Sequence, residues 1–178
     1  MAFSDQQQKL LAGKLNPRVV KTREQRGMQL SYIEGWYAIA EANRVFGFEG
    51  WDRETISAFC IWEDARRDPR ACAYAARVRI RVRAGEALVF RDGSGVGHGT
   101  GATMGEAHES ALKEAETDAM KRALITFGNL FGLALYDKDQ AGVRGGKKPR
   151  SVAPGAPTLR LVSPDGESLS VHDRPQGF

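Results

Sequence analysis

The sequence predicts an α+β domain, an antiparallel β-β-β meander packed by one long α-helix and preceded by another helix. Three observations carry that expectation. Residues 73–83 alternate apolar and basic side chains with period two, residues 103–127 carry a capped stripe of small and apolar residues at helical spacing, and Ala84-Gly85 is placed to reverse the chain into a third strand.

In chain order, the first helix is expected to begin at Ser31. S-Y-I-E offers a hydroxyl at the N-cap and Glu34 three residues on, and Ile33, Trp36, Tyr37 and Ala40 follow at helical spacing. Gly47 can close this helix, and Glu49-Gly50 turns the chain into TISAFCIW, a segment of strand composition. A polar loop from Glu63 to Pro69 leads to the second strand. There Tyr74, Ala76, Val78, Ile80 and Val82 fall on one face and Arg77, Arg79, Arg81 and Arg83 on the other. The third strand is expected over Ala87–Arg91, followed by a glycine-rich connection, RDGSGVGHGTG. T-M-G-E then opens the long helix at Thr103, with the stripe Leu112, Ala115, Ala119, Ala123 and Phe127 facing the meander and Gly128-Asn129 ending it. After a short apolar piece, Leu130–Tyr136, the composition shifts to QAGVRGGKKPRSVAPGAP, which cannot bury a core. The expected organisation is a domain over residues 1–140 and a Gly/Pro-rich basic tail, expected to be disordered, over 141–178.

The net charge is only +4, but it is unevenly placed. Lys9, Lys14, Arg18, Lys21, Arg23 and Arg26 face a single acid, Glu24, between residues 9 and 26. Eight arginines face only Asp68 and Glu86 between residues 66 and 91. Such blocks suit a polyanionic partner. The arginine ladder of the second strand is the sharpest signal, because like charges two residues apart repel and a bound polyanion would relieve them; the plainer account is a solvated sheet face with acidic neighbours.

Other chemistries find little support. No apolar run approaches a membrane span, and the N-terminus lacks the pattern of a secretory signal, so an intracellular, reducing compartment is expected. Cys60 and Cys72 show neither CxxC spacing nor a nearby histidine pair, which argues against a disulfide framework and a zinc site. His98, His108 and His172 stand apart from any nucleophile motif, so neither a catalytic centre nor a cofactor is expected. The run from Gly93 to Gly105 could cradle phosphate, but it lacks G-x-x-x-x-G-K-[ST] and reads equally as a flexible connection. Lys121 and Arg122, near the end of the long helix, suit its dipole, and Asp118 can pair with Arg122 across one turn. Tyr32, beside the first basic block, is the aromatic best placed to stack on an unpaired base, whereas Trp36, Tyr37, Trp51 and Trp62 are read mostly as core.

Two segments, LSYIEGWYAIAEANRVFGFEGW and EAETDAMKRALITFGNLFGLALYDKD, flank the meander. In that order they resemble the Rad52/Rad22 family of strand-annealing recombination proteins over roughly residues 7–140. The resemblance implies a homo-oligomeric ring that binds single-stranded DNA around its outside and pairs complementary strands without ATP in recombinational double-strand break repair. It also implies DNA-groove roles for Arg23, Lys121 and Arg122, which displaces the helix-dipole reading of the last two. Where a family member carries a further arginine one turn on, this chain has Ile125, and an outer-site lysine falls near Ala102; Arg70 and the strand-two ladder are the candidates to compensate. The expected setting is a short bacterial or phage form, cytoplasmic and nucleoid-associated, with a single-strand-binding protein as a candidate partner. The alternatives are a general single-strand RNA or DNA chaperone and, ranked below it, a nucleotide-dependent enzyme.

Overall fold

The computed structural model describes residues 3–25 and 27–145. Helix α1, Asp5–Leu11, opens on a capping box that the sequence reading passed over. The Ser4 hydroxyl accepts from the Gln7 backbone N–H at 3.2 Å, and the Gln7 side chain accepts from the Ser4 N–H at 3.0 Å. Next comes a hairpin, also unexpected, of β1, Lys21–Gln25, and β2, Met28–Tyr32, with Gly27 at φ 74° in its turn.

The hairpin corrects the expected helix start. Ser31 pairs with Thr22 and Tyr32 with Lys21, so their backbones are committed to a strand ladder, and S-Y-I-E does not form a capping box. Helix α2 runs instead from Gly35 to Phe46, with Glu34 at its N-cap making no side-chain cap. Gly47, at φ 83°, closes it as expected.

The meander is present and longer than expected: β3, Trp51–Asp64, β4, Arg70–Ala84, and β5, Ala87–Gly101, pair antiparallel in the order β3-β4-β5. Helix α3, Met104–Ile125, packs along it and carries the expected capping box at Thr103 and Glu106. On β4, Val78, Ile80 and Val82 are fully buried, while the arginines alternate outward.

Most of the expected glycine-rich loop is strand β5. Gly93, Gly95, Gly97, Gly99 and Gly101 recur with period two because they form the face pressed against α3. A Cβ on Gly97 would lie 2.2 Å from the Ala111 carbonyl oxygen, and one on Gly99 would lie 1.9 Å from that of Ala107. The helix answers with Ala107, Ala111, Ala115, Ala119 and Ala123 at four-residue spacing, all fully buried. Small faces on both sides let the backbones approach more closely than any side chain would allow. The phosphate-cradle reading falls with the loop, since these residues serve the ladder and the packing instead.

Phe46, Phe127 and Phe131 close one end of the core beside Met120 and Leu124, with Phe46 and Phe131 stacked at 6.0 Å. The short helical turns Asn129–Phe131 and Leu133–Leu135 seat Leu130, Phe131 and Ala134 in it. The packed body passes the expected boundary at residue 140: Val143 is buried, and the Arg144 N–H donates to the Leu15 carbonyl at 2.8 Å. The rest of the proposed tail, 146–178, lies outside the described residues, as does Arg26. Both cysteines are free. Among the described residues, no helix is long and apolar enough to cross a membrane.

Candidate nucleic-acid interface

The last turns of α3 project Lys121, Arg122 and Ile125 toward the β1–β2 hairpin, which supplies Arg23 and Tyr32; Tyr136 and Gln140 come from beyond the helix. Together they line a cleft of about 480 Å³. The side chains lie far apart in sequence, yet the fold converges them because the hairpin leaves the sheet unpartnered and lies over the C-terminal end of α3.

Tyr32 organises the charge. The Arg23 guanidinium carbon lies 5.7 Å from its ring centroid and the Lys121 ammonium 5.9 Å, so two cations share one ring quadrupole. The Arg122 guanidinium donates to Asp118 at 2.8 Å across one helical turn, and that hydrogen bond raises its pKa further. Three cations thus face one carboxylate. Among the described residues, no carboxylate lies within ion-pair distance of Arg23 or Lys121. A partly exposed cluster of this kind is poised to gain from an anion, since the cations repel one another and only one is matched.

Arg122 and Asp118 also border a second depression of about 560 Å³, lined by Ser57, Phe59, Ala75, Arg77 and Val96. The charged pair therefore borders both depressions, and Arg77 is the ladder residue that lines the second.

The remaining ladder sits in a different electrostatic setting from the one its spacing suggested. Arg77 and Arg79 both bind Asp92, at 2.7 and 2.8 Å, and Arg81 binds Asp52 at 2.7 Å with Glu54 at 3.3 Å. The acids come from β3 and β5, so they were invisible to a reading of β4 alone, and the ion-paired sheet face is the arrangement found. Hydrogen bonds from two guanidinium groups, those of Arg79 and Arg77, hold the Asp92 carboxyl far below the usual carboxylate range. Arg83 is exposed near the end of β4, away from the cleft lining. Arg70 begins the same strand, and its guanidinium donates to the Ala102 carbonyl, which puts a cation beside the position where the family resemblance expected a lysine.

The structure thus brings Arg23, Tyr32, Lys121 and Arg122 into one cleft and Arg77 beside it, whereas Arg70, Arg79, Arg81 and Arg83 lie elsewhere on the sheet. Sequence reasoning missed Tyr136, which is 71% exposed at the cleft edge and carried no local signal. Trp36 and Trp62, expected in the core, are 64% and 47% exposed.

Comparison with known proteins places the chain in a family. The family model described as "Rad52/22 family double-strand break repair protein" matches residues 4–150. The DNA repair and recombination protein RAD52 of Eremothecium gossypii is 39% identical over 143 residues, which are 78% of this chain and 32% of that protein. RAD52 of Saccharomyces cerevisiae is 37% identical over 140 residues, 76% of this chain and 29% of its own length. The DNA repair and recombination protein rad22 of Schizosaccharomyces pombe is 35% identical over 146 residues, 80% and 30% respectively. The chain spans about a third of the length of these relatives. They are fungal and lend no support to the bacterial or phage setting expected from the chain's brevity. Both flanking motifs, the meander between them and the long helix lie inside the matched span, and this chain belongs to the Rad52/Rad22 family.

Proposed function

We propose that this chain binds single-stranded DNA through the Arg23–Lys121–Arg122 cleft and anneals complementary strands without nucleotide hydrolysis, in recombinational repair of double-strand breaks. The observation that carries the reading is the convergence of three cations and an aromatic ring, drawn from two distant segments, on one open cleft. Membership of a family whose relatives are named for DNA repair and recombination supports the biological setting.

Cations hold the sugar-phosphate backbone of one strand, and its base edges remain free to test a second strand. No reacting bond is handled by the protein, so no general acid, nucleophile or nucleotide is required, and sequence selectivity comes from complementarity alone.

The protein works as an oligomer on this reading. Both outer strands of the three-stranded sheet, β3 and β5, have a free edge among the described residues, and Phe59, Ile61, Trp62, Leu88, Phe90 and Val96 are exposed on the sheet. Unpaired edges with apolar side chains favour burial against another copy.

The deciding experiment compares wild type with Lys121→Ala and Arg23→Ala for binding of a labelled single strand and for annealing of complementary oligonucleotides, without ATP. Both variants are expected to lose at least about tenfold in affinity, from the roughly 1.5–3 kcal/mol of a charge-assisted contact, and to keep the wild-type mass in solution. Unchanged affinity in folded variants would remove the site assignment. DNA-stimulated ATP turnover by wild type would remove the passive mechanism. Equal or tighter binding of an RNA strand would favour the chaperone reading.

A further inference from the structure

The geometry points to a second site, remote from the cleft: Cys60, Glu63 and His108 form a binding site for a soft divalent cation of the zinc type where the far end of β3 meets the first turns of α3. One ligand atom from each residue, thiol sulfur, carboxylate oxygen and imidazole nitrogen, lies within 4.8 Å of the other two.

Strand parity makes this grouping informative. In a regular strand, residues three apart point to opposite faces. Here the pairing of β3 with β4 shifts register between Cys60 and Trp62: Cys60 opposes Tyr74, Trp62 opposes Ala73 and Glu63 opposes Cys72. The extra residue, Ile61, reverses the parity, so Cys60 and Glu63 share the face of Tyr74 and Cys72, which is the face toward α3. Bulges that re-aim side chains in this way gather at functional positions. Without it, Cys60 and Glu63 would lie on opposite sides of the sheet.

His108 completes the group from the helix. Its ring is set edge-on to Tyr74, with centroids 5.7 Å apart. Nε2 stands 3.6 Å from the Glu63 carboxylate, too far for a hydrogen bond, and Nδ1 is buried with no hydrogen-bond partner. A structural histidine ordinarily satisfies both nitrogens; this one is positioned by packing and leaves its hydrogen-bonding capacity unused.

The ligand chemistry selects the ion. Thiolate with imidazole and one carboxylate suits Zn²⁺ in preference to Mg²⁺ or Ca²⁺, which take oxygen ligands. Metal–ligand bonds of about 2.0–2.3 Å place tetrahedral ligands roughly 3.3–3.8 Å apart, so the three atoms need to close by only about 1 Å. Glu63 is exposed and free to move. The Cys60 thiol now donates to the Trp62 carbonyl at 3.2 Å; binding breaks that S–H bond, forms a sulfur–metal bond and releases one proton to solvent, with water as the fourth ligand. Cys72 is not a ligand. It is 1% exposed, packed against Ala107 and Ala111, and its sulfur is not in the ligand group. Occupancy would fasten the β3–β4 end of the sheet to the start of α3, which explains why a bulge, a thiol and an imidazole are gathered at a place the DNA cleft does not use.

The test titrates Co²⁺ into the chelator-treated full chain. The expected result is one equivalent bound, with a near-ultraviolet thiolate-to-cobalt band and the visible bands of tetrahedral cobalt, all displaced by Zn²⁺. Cys60→Ser abolishes the thiolate band, His108→Gln weakens binding by about tenfold or more, and Cys72→Ala leaves the spectrum unchanged. Zn²⁺ raises the melting temperature of wild type and not that of Cys60→Ser. A spectrum without a thiolate band in wild type, or the same band in folded Cys60→Ser, overturns the site and leaves His108 and Glu63 as mere neighbours.

Discussion

Replacing Tyr32 by phenylalanine keeps the ring face that Arg23 and Lys121 both approach, whereas alanine removes it. If the ring's task is to hold two cations in register and offer a stacking surface, Tyr32→Phe should bind single-stranded DNA like wild type. Tyr32→Ala should bind it more weakly by about 1–2 kcal/mol, roughly tenfold. Fluorescence anisotropy on the two variants separates the ring from the hydroxyl. Asp92 gives a prediction of a different kind. Its folded-state pKa is depressed by hydrogen bonds from Arg79 and Arg77, so the stability it contributes is fully present above the ordinary aspartate pKa and is lost as pH falls below about 4 toward the folded value. Asp92→Asn should flatten that acid limb of the stability curve, measured by denaturation between about pH 5 and pH 2. Single residues were legible in unequal measure. The Asp118–Arg122 pair could be read because both residues share one helix, whereas groove roles for Arg23, Lys121 and Arg122 came from the family resemblance. The pairing of Arg77, Arg79 and Arg81 could not be seen from β4, because Asp92 and Asp52 reach them only through strand pairing.

The contact between β5 and α3 rests on two facing rows of small residues, and a methyl group is enough to disturb it. In Gly97→Ala the new Cβ would lie 2.2 Å from the Ala111 oxygen and 2.3 Å from the Ala115 nitrogen, both backbone atoms that cannot turn away. We expect a loss of about 1–3 kcal/mol or more, as for other overpacked cores, visible as a lower urea midpoint. Gly105→Ala is the matched control. It lies in the first turn of α3 with nothing nearer than the Thr103 hydroxyl at 3.8 Å, so the better helix former should leave stability unchanged or raise it by about 0.5–1 kcal/mol. The same element shows where sequence reading succeeds. Alternation in β4 stood out because its two faces differ in charge, and the Thr103 capping box marked α3 directly. Alternation in β5 is present as well, but its core face is built of glycine, the residue that usually signals a turn, so the sequence predicts a loop where the strand runs. Ser31 failed for the opposite reason: a genuine cap pattern was overridden by pairing with Thr22 across a hairpin whose polar strands carried no signal of their own.

At the scale of the whole molecule, the question is where the positive charge is free to act. The sheet holds the densest run of arginines in the chain, yet Arg77, Arg79 and Arg81 are matched by acids on adjacent strands, whereas Arg23 and Lys121 at the cleft are not within ion-pair distance of any described carboxylate. On the function proposed above, phosphate contacts fall at the hairpin–helix cleft, even though a count of charges along the chain points to the sheet. Counterion release gives this distribution a measurable form, because each phosphate neutralised on a single strand contributes about −0.7 to the slope of log affinity against log salt. Lys121→Ala should make that slope shallower by about 0.7 for each chain in contact with the strand. Arg81→Ala removes a cation already held by Asp52 and Glu54, so it should leave the slope nearly unchanged while exposing two unmatched carboxylates. Titrations of a labelled single strand over a range of salt concentrations would show the difference, and an Arg81→Ala slope that falls as far as that of Lys121→Ala would move the DNA path from the cleft onto the sheet.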